Sequence, residues 1–208
     1  MPLCLMNDKM LLFVHIPKCG GSTVETYLQQ KGKMGFKLKG RKGWCKTVPQ
    51  HVHAEIYEPL FPDGFVDETF TVFRHPVERI LSEYRYRVDN VLEALPFSEW
   101  LEQSLAVYAD DPYALDNHLR PQVEFLCDGI KIFRFEDGLD NVLRYIDQHS
   151  GSGPIAQPIW EKKSSAPKPV PSDADLEKIM AFYAEDLRVY DQLVKGQITV
   201  WSRVEAAA

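Results

Sequence analysis

The chain has 208 residues, 45% of them hydrophobic and 26% charged, which fits one globular domain and excludes a disordered or fibrous chain. Its formal net charge of -6 argues against a general nucleic-acid binder, which carries a basic surplus. The average conceals an asymmetry: residues 1–50 hold nine basic and two acidic side chains (+7), leaving 15 basic and 28 acidic (-13) for residues 51–208.

The longest apolar run, Met10 to Ile16, falls far short of the roughly 20 residues of a membrane-spanning helix. Met1 to Lys9 lack the basic and then apolar pattern of a secretory leader. Cys4, Cys19, Cys45 and Cys127 are scattered, with no CxxC pair, and read as reduced thiols. These features predict a cytoplasmic protein with no membrane partner.

In chain order, the first strong element is Met10-Leu-Leu-Phe-Val-His-Ile16, a short apolar run that predicts a buried strand. Pro17 stops it, Gly20-Gly21 mark a turn, and Ser22 and Thr23 are the expected N-caps of a helix through Val24, Tyr27 and Leu28. Residues 31–46, rich in Gly and Lys, are expected to form a loop. Thr69 to Phe73, β-branched and aromatic, predicts a second strand that runs into Arg74-His75-Pro76. Pro76 suits a first helical turn, and Val77, Ile80, Leu81, Tyr84 and Val88 give the following helix one apolar face.

Further helices are expected over 97–108 and 138–148, with a strand over 130–135 between them. A Ser-, Gly- and Pro-rich loop is expected over 150–172, followed by a capping pair at Ser172 and Asp175. Leu176 to Tyr190 then carry one long amphipathic helix. Strands alternating with helices predict an α/β fold around a mainly parallel sheet, a single domain over 1–208 with its core at about 10–192.

The stretch His15-Ile-Pro-Lys18-Cys-Gly-Gly21-Ser-Thr23 carries the most chemistry. Backbone amides at a helix start, unobstructed at Gly20 and Gly21, form an oxyanion nest. Lys18 adds a mobile positive charge, and Ser22 and Thr23 add hydroxyl donors. Lys18 precedes the glycines, so the spacing is not GxxxxGK[ST] and an ordinary P-loop kinase or GTPase is disfavoured. The bland alternative is a strand-to-helix turn with an exposed lysine. Arg74 stands at the end of the second strand and Ser82 lies two turns into the next helix, where a phosphate could be gripped. Alternatively, Arg74 and Arg79 pair with local carboxylates such as Glu78 or Glu83.

HIPKCGGST followed by FRHPVERILSEY resembles the two nucleotide-binding signatures of the sulfotransferase superfamily. The likeness is closest to its carbohydrate branch, Golgi-type, which includes the uronyl 2-O and chondroitin enzymes. It extends more weakly through His118-Leu-Arg-Pro-Gln122, Phe133 to Asp137 and the last long helix. The resemblance implies a P-loop-like domain that takes its sulfuryl group from 3'-phosphoadenosine 5'-phosphosulfate (PAPS). It implies that Lys18, Cys19, Gly20, Gly21, Ser22 and Thr23 hold the 5'-phosphosulfate, and that Arg74 and Ser82 bind the 3'-phosphate. Ser165, within the run Lys162 to Lys168, corresponds to a loop that covers the donor in relatives. Cys19 departs from the Ser or Thr of many relatives, and a thiol beside a helix start invites the reading of a reactive cysteine.

In-line sulfuryl transfer needs positioning and charge stabilisation more than a metal, and no metal is expected. Lys18 is the candidate that stabilises the departing phosphate. Between the motifs, Gln50-His51-Val-His53-Ala-Glu55 offers three proton acceptors, which share one face if that segment is extended. The uronyl 2-O enzymes have a similar His-x-His, which favours His53, then His51, then Glu55. Zinc binding by His51 and His53 is the weaker alternative. His51, Glu55, His118 and Arg120 are expected on the acceptor side, against a hydroxyl of a carbohydrate or small metabolite. The basic residues Lys31, Lys33, Lys37, Lys39, Arg41, Lys42 and Lys46 read either as a solvated loop or as a rim for an anionic acceptor. Rival readings are a non-catalytic nucleotide- or polyanion-binding protein, a nucleotide-dependent kinase, and a fragment of a Golgi-type chain.

Overall fold

The computed structural model describes residues 1–38, 40, 43–90, 95–155 and 164–203. Lys39, Arg41 and Lys42 of the basic run, and Lys162 of the loop expected over the donor, lie outside the described residues.

Five strands form one mixed sheet in the order β3-β1-β2-β4-β5. They are β1 (Leu3–Met6), β2 (Lys9–Val14), β3 (Lys33–Gly35), β4 (Glu68–Phe73) and β5 (Lys131–Arg134). The strands expected from their apolar runs, β2, β4 and β5, are parallel neighbours in register Phe13–Phe70 and Thr71–Ile132. β1 and β3, which the apolar pattern does not announce, add an antiparallel half. β1 is short and its turn uses Asn7 and Asp8 at positive φ (46° and 58°), so hairpin pairing supplies what its length cannot.

Seven α-helices flank the sheet among the described residues: α1 (Gly21–Lys31), α2 (Ala54–Tyr57), α3 (Pro76–Asn90), α4 (Phe97–Asp110), α5 (Asp140–Ser150), α6 (Asp173–Phe182) and α7 (Ala184–Val194). The expected long C-terminal helix is two. Tyr183, at φ -105° and ψ 32°, breaks it, and its hydroxyl bonds the Leu119 carbonyl at 2.7 Å. The Ser172–Asp175 capping box forms as expected.

Apolar side chains of the sheet pack with α1, α5 and α7 in one cluster that includes Phe13, Phe70, Leu28, Ile146 and Val189. A second cluster joins α3, α4 and α6 through Ile80, Leu101 and Ile179. The core reaches beyond 10–192 at both ends. β1 joins the sheet, and Trp201, buried, exchanges hydrogen bonds with Gly129 and Ile130 at 2.9 Å. All four cysteines are free thiols. No described helix is long and apolar enough to cross a membrane.

Candidate functional site

The carboxyl ends of parallel strands β2 and β4 meet two helix starts, and this is where open α/β sheets gather ligands. After β2 the chain turns through Lys18 and Gly20 at φ 68° and 79°. Gly20, rather than Ser22 or Thr23, caps α1: its carbonyl accepts from the Thr23 amide at 3.1 Å. The two hydroxyl residues therefore stand in the first turn itself. Gly21 is dictated by packing, since a Cβ there would lie 2.2 Å from His15 Nε2. The result is a bare backbone turn at a helix N-terminus, of the kind that cradles anions.

Cys19 turns inward. Its thiol faces the Gln122 side-chain oxygen at 3.3 Å, and burial pushes its pKa up to about 12. Desolvation outweighs the helix start and keeps this thiol protonated. Only its backbone is available to a ligand.

Among the described residues Arg74 pairs with no carboxylate, Glu78 and Glu83 included. Its Nη1 donates to the Lys18 carbonyl at 3.0 Å, and its guanidinium stacks 4.4 Å from the Phe135 ring centre. Gln122 clamps the Arg74 backbone, accepting from its amide at 3.0 Å and donating to its carbonyl at 2.8 Å. Buried Asp186 holds Gln122 in turn, accepting its backbone amide at 2.9 Å. Arg74 Nε is buried with no partner among the described residues. Beside it lies a cavity of about 430 Å³ lined by Arg74, Glu78, Phe135, Glu136, Gly138 and Leu139. Arg79 forms no ion pair with Glu78 or Glu83 and holds the carbonyls of His118, Leu119 and Arg120.

Ser82 shares one face of α3 with Glu78, Arg85 and Asp89, spaced i, i+4, i+7 and i+11. The other three anchor residues 164–168. Asp89 accepts from Ser165 Oγ at 2.7 Å, Arg85 donates to the Ala166 carbonyl at 2.7 Å, and Lys168 meets Glu78 at 2.7 Å. Ser82 and Ser165 are thus brought to the same side of one helix, although 83 positions separate them in the chain.

Near the turn after β2 stand three histidines. His15, His51 and His118 stand edge to face, with ring centres 5.0 Å and 4.9 Å apart in sequence. Each Nδ1 meets a carboxylate: Glu25 at 2.5 Å, Asp116 at 2.8 Å and Glu83 at 2.6 Å. An ionised carboxylate only accepts, so Nδ1 carries the proton and Nε2 keeps its lone pair. Burial lowers all three imidazole pKa values, partly offset by the carboxylates. Asp116 sits in a run of left-handed residues, Leu115, Asp116 and Asn117 at φ 52°, 62° and 63°. That strained turn aims its carboxylate at His51, while Asn117 donates to the His51 carbonyl at 2.8 Å.

Lys18 adjoins this cluster. Its ammonium lies 4.2 Å from the Tyr86 ring centre, and Tyr86 is 5.8 Å from His118. Burial lowers the Lys18 pKa and the Glu83 charge opposes that.

The segment 49–57 is not extended, which corrects the expected common face. His51 ends a 3-10 turn and His53 caps α2. His53 turns toward Tyr113, Asn117 and Glu55, the last 3.7 Å away, while Glu55 itself is exposed. Arg120, expected on the acceptor side, is placed differently from His118. It is buried, bonded to Asn117, Glu124 and the Pro112 carbonyl, and braces its own loop instead of facing a ligand.

Lys31 pairs with Asp147 at 2.7 Å and leaves the basic rim. Ligand-type atoms of His51, Asp116 and His118 lie within 4.8 Å of one another. However, both imidazole Nδ1 atoms are committed to carboxylates, and Asp116 also accepts from Thr47 and Val48. What the cluster leaves open is the Nε2 lone pairs of its histidines, which can accept a proton. The sequence reading did not assign Glu83, Asp116 or His15 to the site. Arg79, Glu83 and Arg87 at i, i+4, i+8 look like a solvated ladder, yet Arg79 and Glu83 are buried.

No curated protein and no solved structure matches the chain. The model of the Sulfotransferase family matches residues 3–191, spanning the turn after β2, Arg74 and the histidine cluster alike, and the chain belongs to that family.

Proposed function

We propose that this sulfotransferase, read as one domain over 1–208, moves a sulfuryl group from PAPS to a hydroxyl of a carbohydrate or small metabolite. The observation that carries the donor assignment is the junction of Arg74 with the Lys18 turn, which leaves a buried guanidinium Nε unpaired beside an open cavity. In this reading the bare turn at Gly20 to Thr23 receives the 5'-phosphosulfate. Arg74, with Ser82 and Ser165 across α3, receives the 3'-phosphate. The cavity at Phe135 takes the base, a planar ring against an aromatic wall. PAPS supplies an activated sulfuryl group.

Lys18 stabilises the charge that appears on the leaving 5'-phosphate. The acceptor oxygen attacks in line and its proton passes to a neutral imidazole. Geometry favours His51 for this role over His53, because His51 lies in the cluster that adjoins Lys18. A cytoplasmic location and an anionic acceptor complete the reading.

The test is calorimetric titration with 3'-phosphoadenosine 5'-phosphate against ATP and AMP. Selective binding of the 3'-phosphate nucleotide supports the reading, and equal or absent binding removes it. His51→Ala and His53→Ala, assayed for transfer from labelled PAPS, then rank the two bases.

A further inference from the structure

We infer that Glu83 is a positioning residue of the transfer site, one buried carboxylate that sets the tautomer and orientation of His118. The inference rests on the proposed donor reading for its catalytic meaning, but its geometry stands alone.

Glu83 is fully buried and follows Ser82 on α3. One oxygen accepts from His118 Nδ1 at 2.6 Å, and the other accepts from Arg87 Nε at 2.6 Å. Burial works to raise its pKa, yet His118, Arg87 and Lys18 together hold it below the ordinary carboxylate value. A buried carboxylate kept ionised by three donors or cations is costly, and removing any partner leaves an unpaired charge. A surface ladder would not need that arrangement.

The consequence falls on His118. With Nδ1–H bound to Glu83, its Nε2 lone pair is left free of hydrogen bonds among the described residues, in a ring 4.9 Å from His51 and 5.8 Å from Tyr86. The acceptor hydroxyl then meets two neutral imidazoles, His51 as base and His118 as a fixed hydrogen-bond acceptor. Its charge also favours the ammonium form of Lys18 against the effect of burial. The groups facing His118 are Glu83, Tyr86 and Arg87 from α3, His51 from the 49–51 turn, Asp116 from the 115–117 turn, and Arg79 on its carbonyl. Glu83 and Asp116 carry the negative charges among these, and only Glu83 bonds the His118 ring.

The deciding experiment is long-range ¹H–¹⁵N correlation NMR of the histidine-labelled full chain, for wild type, Glu83→Gln and Arg87→Gln, between pH 5 and 8. In the wild type His118 is expected as the Nδ1–H tautomer at pH 7.5. In Glu83→Gln it is expected to lose that single tautomer and to protonate only at lower pH. Arg87→Gln, which removes the other partner of Glu83, should leave the His118 tautomer in place. An Nε2–H tautomer in the wild type, or an unchanged His118 in Glu83→Gln, overturns the inference. If Glu83→Gln does not fold, His118→Asn and the wild-type spectrum still decide the tautomer.

Transfer from PAPS gives the second readout. Glu83→Gln is expected to lose roughly 10²-fold in kcat, with its acidic limb moved to lower pH and the KM for PAPS changed less. An activity loss with an unmoved pH profile marks a merely structural residue and overturns the inference. Absent binding of 3'-phosphoadenosine 5'-phosphate to the wild type would sink the donor reading, while the NMR result would still judge Glu83.

Discussion

Arg74 Nη1 donates to the carbonyl of Lys18 at 3.0 Å, so the end of β4 grips the turn that follows β2. Two motifs 56 positions apart thereby become one surface. The bond turns the Lys18 carbonyl, an acceptor that would repel an anion, toward a cation and away from the open turn.

Arg74→Lys is expected to weaken binding of 3'-phosphoadenosine 5'-phosphate far more than that of AMP. Lysine is a point charge and cannot both hold the Lys18 carbonyl and grip a phosphate with a planar fork. The loss of one charge-assisted hydrogen bond is about 1.5–3 kcal/mol, or roughly 10- to 100-fold in affinity. Calorimetry with both nucleotides reads the difference. Equal weakening of the two would detach Arg74 from the 3'-phosphate.

Gly21→Ala should destabilise the fold as well as the site. The new Cβ falls 2.2 Å from His15 Nε2, and that ring is pinned by Glu25 and packed against His51. Overpacking of this kind costs about 1–3 kcal/mol. Scanning calorimetry is expected to show a lower Tm, with Ser22→Ala close to wild type. A Gly21→Ala Tm equal to wild type would mean that the ring moves freely.

Stability should fall in two steps as pH is lowered. His15, His51 and His118 have folded pKa values below their ordinary 6.5. Below that value the unfolded chain binds protons that the folded one refuses, so their contribution is complete above pH 6.5 and lost as pH falls through the folded values. Asp116 follows lower down. Its pKa is held at about 2 against an ordinary 3.8, so its contribution is present above 3.8 and lost toward pH 2. Tm measured from pH 8 to pH 3 should show the first decline below neutrality. His118→Gln should flatten that decline, and an unchanged slope would contradict the neutral cluster.

The basic stretch before His51 offers a fourth test. Lys37 bonds Gln29 at 3.0 Å and Lys46 lies 4.9 Å from the Tyr113 ring centre, while Lys31 is tied to Asp147. Replacing Lys33, Lys37 and Lys46 by Gln is expected to raise the KM of an anionic acceptor and to weaken its salt dependence. An unchanged salt response would leave these residues as an ordinary solvated edge.

The three parallel strands and the two turns that follow β2 and β4 are legible in the chain itself, because each rests on local period, turn chemistry or contiguous spacing. Met10 to Ile16 and Thr69 to Phe73 are apolar runs that only a buried strand accommodates, and Pro17, Gly20 and Pro76 end or begin elements by their own geometry. What local spacing could not decide is direction. His51 and His53 are two apart, yet a 3-10 turn and a helix start send them to different neighbours. Glu83 and Arg120 look solvated in the sequence, but packing of α3 against the 115–122 segment buries both. Only the tertiary structure sets three carboxylates behind three histidines, because Glu25, Glu83 and Asp116 come from separate elements whose side chains meet after the sheet and α3 have formed.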